Sequence, residues 1–247
     1  VTTAGTCAVM GTASTMACIT ETLGMALPGT AAIPAVHADR LRASEASGAQ
    51  AVALALAPEG KRLTPAKIMT PASVENALRV LLSIGGSTNA IVHLTAVAGR
   101  LGIPIPLDHL NKISDETPVL IDLKPTGEHY MEDLFKAGGM GVVLRELKPL
   151  LNLDCMTVTG QTLGERLEGE PDYVDRAVVR SMDDPIQPMG GLVSLFGSLA
   201  PGGAILKRSA ADPSLFESEG RAIVFSSLED LAARVDDPDL DIQANDI

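Results

Sequence analysis

Three groups of residues in this sequence have the types and spacing to do chemistry. Cys7 sits in Gly5-Thr6-Cys7-Ala8-Val9-Met10-Gly11-Thr12, which runs straight into a helical pattern. A thiol just ahead of a helix N-terminus is favoured as thiolate, and a thiolate serves as a nucleophile or as a metal or cluster ligand. A lone cysteine read by itself is a small buried hydrophobe. The second group is Gly85-Gly86-Ser87-Thr88-Asn89, a tight junction between two helical patterns. Its free N–H groups make an anion or hydroxyl site. The third is the loop carrying Lys124, His129, Glu132 and Asp133, polar enough to line a substrate pocket and equally a solvated loop.

The remaining candidates carry less. Cys18, beside Ala17 in a helical stretch, and Cys155, between a helix and a strand, read as core. His37, His93, His109 and His129 are scattered, with no HExxH and no His–carboxylate pair in the spacing. Neither a GxGxxG fingerprint nor a Walker lysine is present, which argues against nucleotide. The acidic run 236–241 lacks the glycine and closing glutamate of a calcium loop.

The elements that must position these groups follow from periodicity and punctuation. Met16, Ile19, Thr20 and Leu23 fall at helical spacing and predict a helix over 13–23 stopped by Gly24. A second helix is predicted over 35–47, with Gly48 closing it. Thr64-Pro65 and Thr70-Pro71 each place an N-cap before a proline at the first helical position. The second of these starts a helix with Val74, Leu78, Leu81 and Leu82 on one face. Ser87 or Thr88 caps the next helix, with Ile91, Leu94 and Ala98 as its stripe. Val119–Leu123 predicts a buried strand, 131–137 a short helix, 142–151 a helix, 156–159 a strand and 162–167 a helix. After Asp183-Asp184-Pro185-Ile186-Gln187-Pro188, which reads as a linker, short β-like runs appear at 192–195, 204–206 and 222–225, with a helix over 228–235. The expected architecture is therefore α/β: residues 1–185 in one domain, 186–247 beginning a β-rich second one.

Composition sets outer limits. The chain has 247 residues, a formal charge of −12 and 46% apolar residues, which is a globular composition with material for a core. Strong negative charge repels phosphate backbones, so no nucleic-acid partner is expected. With no Trp, two Tyr and four Phe, an aromatic stacking platform is excluded and small residues must fill the core. No long uninterrupted apolar stretch predicts a membrane span. Three widely spaced cysteines are no disulfide framework and suit a reducing, cytoplasmic setting.

The motifs together resemble one family. Gly5 to Met16 looks like the third-cysteine motif of the dihydroxy-acid dehydratase and sugar-acid dehydratase family. Glu21-x-Leu23-Gly24-Met25-x-Leu27-Pro28-Gly29 continues it, followed by Leu63-Thr64-Pro65-x-x-Ile68-Met69-Thr70 and Gly85-Gly86-Ser87-Thr88-Asn89-Ala90. Asp122-Leu123-Lys124-Pro125-x-Gly127, Met131-Glu132-Asp133-Leu134, Thr157-Val158-Thr159-Gly160 and Leu199-Ala200-Pro201-x-Gly203-Ala204 complete the series. The resemblance covers nearly the whole chain in order.

It implies a hydro-lyase acting on a small 2,3-dihydroxy carboxylate through an iron–sulfur cluster (2Fe–2S in many members, 4Fe–4S the alternative) and Mg²⁺. Cys7 matches the third cluster cysteine. The other two cysteines, the Mg²⁺-binding acids and a modified lysine belong to motifs before Val1. A further Mg²⁺-binding glutamate and the serine base belong to motifs after Ile247. The chain thus reads as an internal segment: the later part of a three-layer-type α/β cluster-binding domain, then the start of a β-barrel-like domain. Thr6, Ser87, Thr88 and Asn89 are expected near substrate, and a homo-oligomer, dimer or tetramer, is expected. The residues after Cys7 and the run 33–40 lean toward sugar-acid dehydratases. Dihydroxy-acid dehydratase is the alternative, and phosphogluconate dehydratase fits less because no basic phosphate-binding cluster is visible. The reading from a different class is a catalytically silent segment or a binding module.

Overall fold

The computed structural model describes residues 7–247. They form two compact units, 7–210 and Ala211–Ile247, and the chemistry-bearing groups lie in the first. The architecture is mixed: helices dominate, with one small two-stranded sheet among the described residues.

In the first unit α1 (Thr12–Thr22) is the hub, packing on α4 (Pro71–Ser83), α5 (Asn89–Gly99) and α8 (Gly139–Glu146). Its two sides face two apolar clusters. Cys18 joins Val80, Leu134, Met140, Val143 and Leu144, while Ile19 joins Leu78, Leu81, Leu94, Leu110 and Ile113. Neither cluster contains an aromatic residue among its buried members, as the composition requires. Small and branched side chains let the helix backbones approach closely.

Helix α4 departs from its predicted single stripe, because Ser73–Ser83 are buried almost all round. Asn76 and Arg79 are satisfied internally, while the buried Ser83 hydroxyl has no partner among the described residues. Asn76 Nδ2 donates to the Asn152 carbonyl at 2.9 Å, and Asn152 N–H donates to Asn76 Oδ1 at 2.8 Å. Arg79 reaches Glu75 and Glu116, each at 3.1 Å. Buried polar groups with such partners cost little. Thr70 and Ser73 form the capping box that starts α4, whereas α3 (Pro65–Ile68) begins at Thr64 without a side-chain cap.

Other elements differ from expectation. Helix α2 runs Ala38–Leu56, straight through Gly48, and none of its residues is buried. The alanine-rich stretch after Gly48 carries the helix past a residue that costs helix stability without forbidding it. Helix α6 (Leu107–Glu116) was not anticipated; Leu110 and Ile113 bury its inner face. Helix α7 (Met131–Lys136) and α8 meet at Gly138, whose φ of +113° admits little but glycine. The expected 142–151 helix is split into α8 and a 3₁₀ turn, Lys148–Leu150. Helix α9 is Leu163–Leu167, started by a Thr162–Glu165 capping box.

Val119, Leu120, Ile121 and Leu123 are buried, but the run forms no strand. Its backbone groups pair singly with separate segments, Leu120 N–H on the carbonyl of Ser83 at the end of α4 at 3.0 Å and Asp122 N–H on the Val178 carbonyl at 2.9 Å. The 156–159 run likewise makes one isolated bridge, Met156 with Thr162. The only sheet among the described residues joins β1 (Val193–Leu195) antiparallel to β2 (Ala204–Leu206), with Ser194 opposite Ile205. Gln187, in the proline-rich run, pairs with Val119.

In the second unit no residue is buried, and its helix α10 (Leu228–Arg234) is capped by Ser227. The 222–225 run forms no strand there. Ile223 N–H instead donates to the Ile247 carbonyl at 2.7 Å. The acidic run is folded onto an arginine: Arg221 reaches Asp241 and Asp246, each at 2.7 Å, which holds both carboxyls below their usual range.

Candidate functional site

Cys7 is exposed, and its carbonyl receives the Ser14 hydroxyl at 3.4 Å. Its sulfur faces Gly11, where a Cβ would stand 3.5 Å from Sγ. Gly11 occupies the N-cap position of α1 and provides no side-chain cap, so the thiol lies beside a helix start whose dipole favours negative charge. A cavity of about 310 Å³ opens beside it, lined by Cys7, Ser14, Ala17, Arg40, Met131 and Glu132 and by the wall Ala31–Ala35.

That wall is fixed from behind by a buried ion pair. Glu21, fully buried in α1, accepts N–H bonds from Gly29 at 2.8 Å and Ala31 at 2.9 Å, and the guanidinium of Arg166 at 2.6 Å. In front, Arg40 donates to the Ile33 carbonyl.

The segment that follows Cys7 is gripped from two sides. Met10 N–H donates to the Lys124 carbonyl, and Met131 N–H donates to the Ala8 carbonyl, both at 2.8 Å. Lys124 and Met131 are the two ends of one loop. Lys124 N–H donates to the His129 carbonyl at 2.8 Å and Gly127 N–H to the Leu123 carbonyl at 2.9 Å. The Asp122 carboxylate accepts from Glu128 N–H at 3.2 Å and meets His129 Nδ1 at 2.8 Å. The Lys124–Pro125 peptide is cis.

The serine–threonine junction comes to the same helix start. Thr12 Oγ1 and Ser87 Oγ are 2.9 Å apart, Asn89 Nδ2 donates to Thr12 Oγ1 at 3.0 Å, and Ser87 N–H donates to Thr15 Oγ1 at 3.1 Å. Gly86 is required there, since a Cβ would lie 2.6 Å from Leu81 Cδ1 and 2.8 Å from Thr15 Cγ2.

Of the residues singled out in the sequence, Cys7 lines the cavity, while Ser87, Thr88 and Asn89 do not. Ser87 and Asn89 meet the first residue of α1, and Thr88 caps α5 without a side-chain bond. Thr6 lies outside the described residues. In the polar loop, Glu132 reaches the cavity. Asp133 accepts from Tyr130 N–H at 2.8 Å, and Lys124 lies over the Tyr130 ring. His129 overturns the expectation of no His–carboxylate pair: it is bonded to Asp122, seven positions earlier, through a turn that spacing alone does not disclose.

The other two cysteines are core, as expected. Burial, followed by the nearby Glu21, pushes the Cys18 thiol up to about 12. Burial also raises Cys155, whose sulfur receives Asn76 Nδ2 at 3.6 Å. Both shifts favour the neutral thiol. Among the described residues no group of three His, Cys, Asp or Glu side chains is set to hold a metal. As a donor set for a cluster or metal, these residues therefore fit a single ligand, the exposed Cys7 thiol. No described helix is long and apolar enough to cross a membrane.

Residues 1–166 match the family model for the dihydroxy-acid/6-phosphogluconate dehydratase N-terminal domain, and residues 177–247 match its C-terminal counterpart. The chain is similar to a dihydroxy-acid dehydratase of Caldicellulosiruptor bescii, 46% identical over 92% of this chain and 41% of that protein. It is also similar to an L-arabonate dehydratase of Azospirillum brasilense, 47% identical over 94% of this chain and 39% of that protein. A dihydroxy-acid dehydratase of Acetivibrio thermocellus is 45% identical over 92% of this chain and 40% of its own length. The chain thus spans about two fifths of these relatives.

Proposed function

The chain belongs to the dihydroxy-acid/6-phosphogluconate dehydratase family, and on that premise we propose that its complete protein is an iron–sulfur hydro-lyase converting a sugar acid to its 2-keto-3-deoxy acid. The reaction removes a proton from C2 and hydroxide from C3, which leave as water. The resulting enol tautomerises to the keto acid. Hydroxide is a poor leaving group and a C2 proton is weakly acidic, so positive charge must be held at both places.

The observation that carries this reading is the exposed Cys7 thiol on a cavity at the start of α1. We assign Cys7 as one cluster ligand. A bound cluster would supply a Lewis-acidic iron toward the leaving hydroxyl. The remaining cluster ligands, the Mg²⁺ ligands and a serine base are expected outside residues 1–247. The chain's own residues shape the place. The alanine wall leaves room for a small polyhydroxy acid, Glu21 and Arg166 keep that wall fixed, and Ser14 orients the Cys7 backbone. Ser87 and Asn89 bond to Thr12 and so brace this helix start from outside the cavity lining. The three-layer and β-barrel-like readings of the two domains, and the homo-oligomer, are expectations for the complete protein.

The sugar-acid branch rests on the residues that follow Cys7. The second reading, a dihydroxy-acid dehydratase, is favoured by the names of several relatives of similar identity. Assay of the complete gene product on a panel of aldonates and on 2,3-dihydroxyisovalerate separates them. Turnover of the branched substrate without turnover of any aldonate overturns the sugar-acid reading. Replacement Cys7→Ser is expected to abolish the visible iron–sulfur absorbance; an unchanged spectrum removes Cys7 from the centre.

A further inference from the structure

We propose that Asp122 and His129 are the positioning pair for Cys7, closing the loop that clamps the cysteine segment. The inference rests on the reading of Cys7 as a cluster ligand and adds what holds it in place. The cysteine segment has few anchors of its own. After Cys7, the Ala8 carbonyl and the Met10 N–H each make one bond to the 124–131 loop, on opposite ends of it. The segment therefore sits where those two ends are.

The spacing of the ends is set inside the loop. Asp122 holds the returning half through two contacts, Glu128 N–H at 3.2 Å and His129 Nδ1 at 2.8 Å. His129 in turn accepts Lys124 N–H on its carbonyl at 2.8 Å, and Lys124 is the residue that receives Met10. Side chain and backbone of His129 thus both serve the same closure. Asp122 and His129 side chains are only 24% and 32% exposed, so the bond is partly shielded from competing water. A metal ligand performs only where surrounding bonds fix its position, and loss of such support costs affinity without touching the ligand itself. Neither residue touches Cys7, so both are positioning residues.

The test uses the complete protein with two variants, His129→Ala and the isosteric Asp122→Asn, and the conservative His129→Asn, whose side-chain amide can replace the Nδ1 donor. Two readouts are taken. One is the visible absorbance and rate of loss of the cluster. The other is the alkylation rate of Cys7 in metal-free protein, resolved by peptide mass spectrometry. We expect His129→Ala and Asp122→Asn to speed Cys7 alkylation threefold or more and to speed cluster loss. His129→Asn should stay within twofold of the parent on both. Parent-like alkylation in both His129→Ala and Asp122→Asn overturns the proposal, as does an Asn variant no better than Ala. Should the parent protein bind no cluster at all, the ligand reading fails, and the alkylation rates still decide the positioning claim on their own.

Discussion

Thr12 and Ser87 stand 75 positions apart in the chain, and their hydroxyl oxygens are 2.9 Å apart in the fold. The contact joins the start of α1, where Cys7 lies, to the glycine junction ahead of α5. It exists because Gly86 lets the junction press against Leu81 and Thr15. Gly86→Ala is expected to cost about 1–3 kcal/mol by overpacking, measured as a lower denaturation midpoint. It should also move Ser87 off Thr12. A variant as stable as the parent would show that the junction can yield.

Gly48 makes the opposite case. It lies inside α2, and a Cβ added there would meet nothing within 4 Å. Gly48→Ala is expected to stabilise by about 0.5–1 kcal/mol, the helix propensity difference between the two residues. Chemical denaturation of both glycine variants should give shifts of opposite sign.

Arg166 and Glu21 form a buried pair, their side chains 3% and 0% exposed. Removing one partner strands the other charge away from water. Arg166→Ala is expected to destabilise by about 3–5 kcal/mol, and the Ala31–Ala35 wall should loosen with it. A loss under about 1 kcal/mol in urea titration would mean that water reaches Glu21.

The Cys18 thiol gives a pH dependence with a definite sign. Burial lifts it to about 12 in the folded chain, while an unfolded cysteine ionises near pH ~8.5. Between those values the unfolded state has lost a proton that the folded state keeps, so stability falls as pH rises through this window. Below the unfolded value the thiol contributes no slope. Cys18→Ala should show a shallower decline over the same alkaline range, compared by denaturant midpoints at each pH. Equal slopes would remove Cys18 as a cause.

The sequence made the local parts of this structure readable. Thr70 before Pro71, Thr162 before Glu165, and the apolar spacing of α1 each encode their element within a few positions. Cys7 was readable as a ligand candidate for the same reason, a thiol set against a helix start. What escaped depends on distant partners. Residues 119–123 have the composition of a strand, but Ser83 and Val178 take their backbone groups one at a time. The Asp122–His129 bond needs the loop between them to turn back on itself. Helix α6 lacks a side-chain cap and starts after Pro106, so only the apolar spacing of Leu107, Leu110 and Ile113 marks it. Helix α2 outran Gly48 because the alanine-rich stretch that follows keeps the helix going past one unfavourable residue.

The Glu21–Arg166 pair also orders events in time. Its members are 145 positions apart, and synthesis runs from the N-terminus at about 5–20 residues per second. For several seconds after Glu21 leaves the ribosome, its counter-charge has yet to be made. During that interval the pair cannot form. The buried pair itself therefore requires α9 to have been made, whereas the Glu21 bonds to Gly29 and Ala31 need only nearby chain.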